Sequence, residues 1–169
     1  MRRFLLLLTT VAVAGLVWQP LALSHCEIPC GVYGDRTRID LLYEHLQTVE
    51  KSMQQILALA GKTDAQSLNQ AARWVHNKEQ HATEIQHVVA QYFMTQRVKP
   101  TDSSDADAEA KYHRQLAALH GLLVSAMKCK QSVEVTHVAK SRELLDAFCA
   151  AYFSKEDLEH IREHHAGGK

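Results

Sequence analysis

Little in this sequence breaks a helix. Its 169 residues include only seven glycines and three prolines, while Ala, Leu, Gln, Glu and Lys are plentiful, which points to an all-α protein. Neither sign of charge is in excess, with 19 Lys and Arg against 19 Asp and Glu. No basic surplus or basic cluster is there to meet phosphates, so no nucleic-acid partner is expected. No strand pattern, internal repeat or second domain is visible. The one long apolar run, Phe4 to Val17, is shorter than the ~18 to 20 residues that span a bilayer. Arg2 and Arg3 precede it, Trp18-Gln19-Pro20 breaks it, and Ala22-Leu23-Ser24 supplies the small residues a signal peptidase needs. Residues 1–24 read as a cleavable signal peptide with the cut after Ser24. The paired arginines lack the rest of a twin-arginine motif, so the general secretory route is expected. The mature chain should be exported, periplasmic or extracellular, with no membrane attachment after cleavage.

What is present is apolar periodicity. A Gly34-Asp35 turn pair leads into a first helix from about Thr37, with Ile39, Leu42, Leu46, Val49, Met53, Ile56 and Ala60 at alternating spacings of three and four. Gly61 should stop it. Asp64 or Ser67 caps a second helix, with Leu68, Ala71, Val75, Ala82, Ile85, Val89 and Tyr92 inward, ending before Pro100. A third runs from about Ala106 to Lys128 with Tyr112, Leu116, Leu119, Leu123 and Ala126 inward. A fourth runs from Val133 to Tyr152 with Val138, Leu145, Phe148 and Tyr152 inward. Ser154 and Asp157 open a short terminal helix carrying Leu158 and Ile161, and Ala166 to Lys169 should fray. The expected organisation is a signal peptide (1–24), a metal-binding hook (25–34), an antiparallel up-down four-helix bundle (35–153), and a short C-terminal helix and tail (154–169).

The chemistry is concentrated in His25-Cys26-Glu27-Ile28-Pro29-Cys30-Gly31-Val32-Tyr33. Cys26 and Cys30 are too close for a zinc finger, which needs a second ligand pair further along. Thiolates with nitrogen donors in a plane are what square-planar nickel or copper accepts. Cleavage after Ser24 would give His25 a free α-amine. That amine, the Cys26 amide nitrogen and the two thiolates would complete an N2S2 plane, with the His25 imidazole axial. On the cysteines alone, a Cys26–Cys30 disulfide in an exported protein is the competing reading.

These residues resemble the amino terminus of the nickel superoxide dismutase family, of the form His-Cys-x-x-Pro-Cys-Gly-x-Tyr. His25, Cys26, Pro29, Cys30, Gly31 and Tyr33 all fit it. Weaker similarity continues through Lys78-Glu79-Gln80-His81 and Gln91-Tyr92-Phe93. The resemblance implies one nickel ion per subunit held by His25, Cys26 and Cys30, superoxide as substrate, and a homohexamer of four-helix bundles. It implies that the His25 ring binds in the Ni(III) form and leaves in the Ni(II) form, and that Ile28-Pro29 is a candidate cis peptide. Tyr33 matches the tyrosine bordering the open face of the metal, and Tyr92 a second tyrosine near it. The amides of Gly31 and Val32 are candidate donors to substrate or sulfur. Where the family has a glutamate and an arginine to orient the axial ring, this chain has Asp40 and His81, both departures. Glu27 replaces the commoner aspartate. Outward apolar residues such as Val88 and Leu122 are expected to meet neighbouring subunits.

Other signals weigh less. Glu84-x-x-His87 and Glu134-x-x-His137 have the spacing of a di-iron helix pair, but Glu84 and His87 fall off the apolar seam and helix three offers only Glu109. His160 and His164 lie one turn apart on what reads as a solvated face. Cys129 and Cys149 would be offset by ~24 Å along antiparallel helices, too far for a disulfide. The alternative function is a non-catalytic nickel- or copper-binding or carrier bundle. A third reading is a structural bundle with the Cys26–Cys30 disulfide.

Overall fold

The structure, a computed structural model, describes residues 34–101, 104–155 and 158. These form helix α1 (Asp35–Ala58), helix α2 (Ala65–His87) running into a π-helical segment (Val88–Arg97), helix α3 (Ala106–Gln131) and helix α4 (Thr136–Tyr152). There are no strands among the described residues, and none of the described helices is long and apolar enough to cross a membrane.

Interhelical contacts set the topology. Asp35 of α1 meets Arg97, and further along the same pair His45 meets His81 and Ser52 meets Asn77. Lys78 and Gln86 of α2 meet the Cys129 and Leu123 carbonyls of α3. Ser125 and Gln115 of α3 meet Ser141 and the Ala151 carbonyl of α4. Asp35 and Glu50 of α1 meet Tyr152 and Arg142 of α4. In every pair one number rises as the other falls, so each helix is antiparallel to the next and α4 closes on α1. This is a four-helix bundle.

The α1 seam holds from Ile39 to Met53, all of it fully buried, and then fails: Ile56 is half-buried and Ala60 exposed. On α2 the expected inward residues Leu68 and Val75 are instead 55% and 42% exposed, and Ala71 is half-buried. Lys78, the first buried residue of α2, is level with the end of α3. The turns of α2 before it run past α3 and lack a third helix to pack on. Periodicity alone does not reveal where a neighbouring helix ends. Val88 and Leu122, expected to face outward, lie in the core at 7% and 0% exposure. The buried face of α3 is broader than a single seam because it packs on both α2 and α4. It takes in Gln115, Ala118, Leu122, Ser125 and Cys129, while Tyr112, Leu116 and Leu123 line its edge.

Helix ends shift for local reasons. Asp35 opens α1 two residues earlier than expected, and Gly34 before it has φ 76°, a left-handed conformation that favours glycine. Asp64 caps α2 by accepting from the Ser67 amide at 2.9 Å. The π-helical turn, which the sequence did not announce, is bonded five residues back: Val98 N donates to the Phe93 carbonyl at 2.8 Å, and Thr95 Oγ1 to the Ala90 carbonyl at 2.8 Å. Helix α3 continues past Lys128 to Gln131, and α4 starts at Thr136 rather than Val133. Lys78 Nζ gathers the carbonyls of Cys129, Lys130 and Ser132 at 2.8, 2.5 and 3.2 Å, filling acceptors that a helix end leaves open. Cys129 and Cys149 are buried free thiols, as expected. Burial raises the pKa of both, that of Cys149 to about 12, so neither is poised as a thiolate. Ser154 accepts from the Leu158 amide at 3.1 Å. The rest of the expected terminal helix, with Asp157 and Ile161, lies outside the described residues.

Candidate metal centre

His25, Cys26, Cys30, Gly31, Val32 and Tyr33 lie outside the described residues, as does Ser24. Among the described residues no group of three or more His, Cys, Asp or Glu side chains has an arrangement that could hold a metal ion. The donors expected from the sequence, His25, Cys26 and Cys30, lie outside the described residues. Two soft thiols beside a histidine suit nickel or copper far better than a hard, oxygen-seeking ion. The structure does give the platform on which this stretch is mounted.

That platform is built on Asp35. Its side chain does not cap α1 but turns into the bundle. Oδ1 accepts from the Tyr92 hydroxyl at 2.6 Å, and Oδ2 accepts from the Tyr152 hydroxyl at 2.6 Å and Arg97 Nη2 at 2.8 Å. Burial by itself would raise the Asp35 pKa. The hydrogen bonds from Arg97, Tyr152 and Tyr92, with the Arg97 charge, outweigh it and hold the carboxyl below its usual range. Burial and the adjacent carboxylate push both Tyr92 and Tyr152 up to about 12, so each stays a hydroxyl donor. The π turn explains how one carboxylate takes both Tyr92 and Arg97. In an α-helix, residues five apart point about 140° away from each other. Bonding five residues back brings them to one side.

The ring faces around the carboxylate are packed. Phe93 meets Phe148 edge to face at 4.9 Å, Phe148 stacks on Tyr152 at 5.1 Å, and the Arg38 guanidinium lies 5.2 Å over the Tyr92 ring. Among the described residues, Arg36 Nη2 and Arg97 Nε are buried without a hydrogen-bond partner. Buried donors of this kind call for an acceptor, and Arg36 lies three residues beyond Tyr33 in the chain.

Of the residues expected to orient an axial ring, His81 is half-buried with its Nδ1 2.8 Å from Nδ1 of His45, the rings at 63°. A contact this short needs one nitrogen to donate and the other to accept, so the pair shares a proton. Burial and the neighbouring His81 both lower the His45 pKa. Asp40 is exposed, and its charge helps raise the Cys149 thiol on α4. His45 is five residues beyond Asp40, about 140° around α1, so Asp40 faces the α4 flank of α1 and His45 the α2 flank, toward His81. Tyr92, read as a residue near the metal, has its hydroxyl committed to Asp35. Asp35, Arg97, Tyr152 and His45 were missed from the sequence. The usable signal was the set of tyrosines at core positions, since a buried tyrosine hydroxyl needs a partner.

An antiparallel helical bundle led into by a segment with two cysteines and a histidine defines a class: a helical bundle preceded by candidate thiolate metal donors. The sequence model of the family described as nickel-containing superoxide dismutase matches residues 20–156, which spans those donors and the whole bundle. The chain belongs to that family. It is an oxidoreductase, and its metal is nickel. Comparison with the curated proteins and with the solved structures finds no match.

Proposed function

We propose that the mature chain begins at His25, after a signal peptidase cuts behind Ser24 in export, and that it disproportionates superoxide at that new terminus. One superoxide is oxidised to dioxygen, and a second takes up that electron and two protons to become hydrogen peroxide. Nickel, one ion per subunit, supplies a Ni(II)/Ni(III) couple that thiolates bring into the useful range.

The chain's own residues do the rest. Cys26 and Cys30 would hold the nickel as thiolates, with the His25 amine and the Cys26 amide as nitrogen donors. The His25 imidazole would be a further nitrogen donor. Pro29 stiffens the loop between the thiols, and Gly31 permits a backbone path that a side chain would block. The amides of Gly31 and Val32 donate toward substrate or sulfur, and the Tyr33 hydroxyl holds water or an anion at the open face. Tyr92 acts through Asp35, because its hydroxyl is already bonded there. His81 has its Nδ1 engaged with His45. Asp40 faces the α4 flank and has the weakest claim on the axial ring.

The family's homohexamer is proposed for this chain too. With Val88 and Leu122 in the core, the exposed apolar residues Leu57, Leu68 and Val75 are the better candidates to meet a neighbour. Sedimentation of the nickel-loaded protein would read the assembly directly.

The observation that carries this reading is the run His-Cys-x-x-Pro-Cys-Gly-x-Tyr placed directly behind a signal-peptidase site and inside the matched region. Its test is Cys26→Ser and Cys30→Ser, each made in a chain that starts at His25. Either change should leave ordinary high-spin Ni(II) without turnover. Retention of most activity in either variant would refute the proposed donor plane.

A further inference from the structure

We propose that Asp35 is a positioning residue for the nickel site: it fixes the point and direction from which residues 25–34 leave the bundle. The proposal rests on the reading of that stretch as the nickel site.

Three observations carry it. First, Asp35 joins three element ends. It opens α1, and its carboxylate is bonded to Tyr92 and Arg97 of the π segment and to Tyr152, the last residue of α4. These are the ends that surround the exit of the chain at Gly34. Second, each donor is itself held. Tyr152 is stacked on Phe148, and Tyr92 lies edge to face with Phe93 at 5.1 Å. The π turn, a local departure from regular helix, sets Tyr92 and Arg97 on one side. Third, the arrangement is a poor way to gain stability alone. Taking a carboxylate out of water costs several kcal/mol, and an apolar replacement is often as stable. What a buried carboxylate bonded by three side chains provides instead is a single geometry.

The lever is short. Cys30 is five residues before Asp35, a reach of at most about 17 Å, and Tyr33 is two residues before it. Gly34, at φ 76° and ψ 148°, redirects the chain directly ahead of the anchor. A release of Asp35 would let that bend pivot. Misplaced outer groups that orient metal ligands typically cost ten- to a hundredfold in affinity or activity.

The test uses full-length mature protein starting at His25. Asp35→Ala removes the anchor, and Tyr152→Phe removes one donor while leaving the carboxylate charged. Arg142→Ala is the control, breaking another α1–α4 link, the Arg142–Glu50 pair at 2.8 Å. Each is read by the thermal midpoint of the metal-free protein, by nickel affinity against a competing chelator, and by the Ni(III) spin-resonance spectrum. Asp35→Ala should lose about tenfold or more in nickel affinity and show a broadened, heterogeneous Ni(III) signal. Tyr152→Phe should move both in the same direction by less. Arg142→Ala should lower the midpoint and leave both unchanged. If Asp35→Ala does not fold, Tyr152→Phe decides: unaltered affinity and spectrum there overturn the proposal. So does a folded Asp35→Ala with wild-type affinity and spectrum, or an Arg142→Ala control that changes them equally. Failure of the underlying reading looks different: Cys26→Ser with Asp35 intact would then keep the wild-type nickel affinity and spectrum.

Discussion

Each end of the bundle buries one charged group, and they are buried in different ways. At the end where the chain enters α1, the Asp35 carboxylate is met by side chains alone: two tyrosines and an arginine from other elements. At the far end the Lys78 ammonium is met by three backbone carbonyls at the close of α3 and by exposed Glu79 at 3.1 Å. Lys78 and Tyr92 are separated by about 21 Å of helix. Carbonyls at a helix end exist in any sequence, so Lys78 meets a general need of the fold. A carboxylate clamped by named side chains meets a particular one, next to the stretch that carries the metal donors. Lys78 begins the Lys-Glu-Gln-His run that resembles the family, yet its contacts are those of a helix cap. Burial of charge is thus no guide to chemistry until the partners are known.

Five changes would break or sharpen this contrast. The largest loss of stability should come from Lys78→Met, which keeps the apolar stem and leaves three carbonyls without a donor, at a cost of about 3 kcal/mol. Chemical unfolding of the metal-free protein measures it. The Ni(III) spectrum of the loaded variant should not change, and a changed spectrum would join the two ends that the contrast separates.

Asp35→Asn comes next, at about 2 kcal/mol, and it carries a pH signature. The Asp35 pKa is lowered in the folded state from its ordinary value of 3.8. Its ionised form therefore contributes stability above pH 3.8, and that contribution fades as pH falls through the lower folded value. Unfolding midpoints of the variant should fall less steeply over this acid range than those of the wild type.

Smaller again are Gly34→Ala and Gly61→Ala. Both glycines have φ near +80°, at 76° and 80°, and an added Cβ would touch nothing within 4 Å of either. Each should cost about 1 kcal/mol from backbone strain alone. Equal losses of thermal midpoint with a lowered nickel affinity only for Gly34→Ala would locate the sensitivity at the entry to α1.

The least effect on stability belongs to His45. Its folded pKa is lowered from 6.5 by burial and by His81, so the unfolded chain takes up more protons as pH falls below 6.5. The stability contributed by the neutral ring is present above 6.5 and lost as pH falls toward the folded value. His45→Gln should flatten the change in denaturant midpoint between pH 7.5 and 5.5.

Local pattern carried most of the architecture. Residues Ile39 to Met53 repeat at helical spacing and line the core as the pattern says, and Asp64 caps its helix. What was illegible depended on relations between helices. Leu68 and Val75 have a core pattern but lie beyond the end of α3. Leu122 looked outward because α3 packs on two neighbours, not one. The π turn has no sequence signature, so the meeting of Tyr92, Arg97 and Asp35 was out of reach. The proposed metal donors stand apart: their spacing is local and chemically specific within nine consecutive residues, and those residues lie outside the described ones.

The proposed amine ligand exists only if the signal is removed, so the terminus of the active protein is the direct test. An uncleaved chain offers an amide nitrogen ahead of His25, which must lose a proton to bind and changes the donor strength and charge at the metal. Intact mass and amino-terminal sequencing of active protein from its native source should give His25 as the first residue. A chain starting at His25 should gain superoxide dismutase activity on adding nickel under reducing conditions, and the same chain with one extra residue ahead of His25 should be far less active. Equal activity from the uncleaved protein would contradict the account of the metal site.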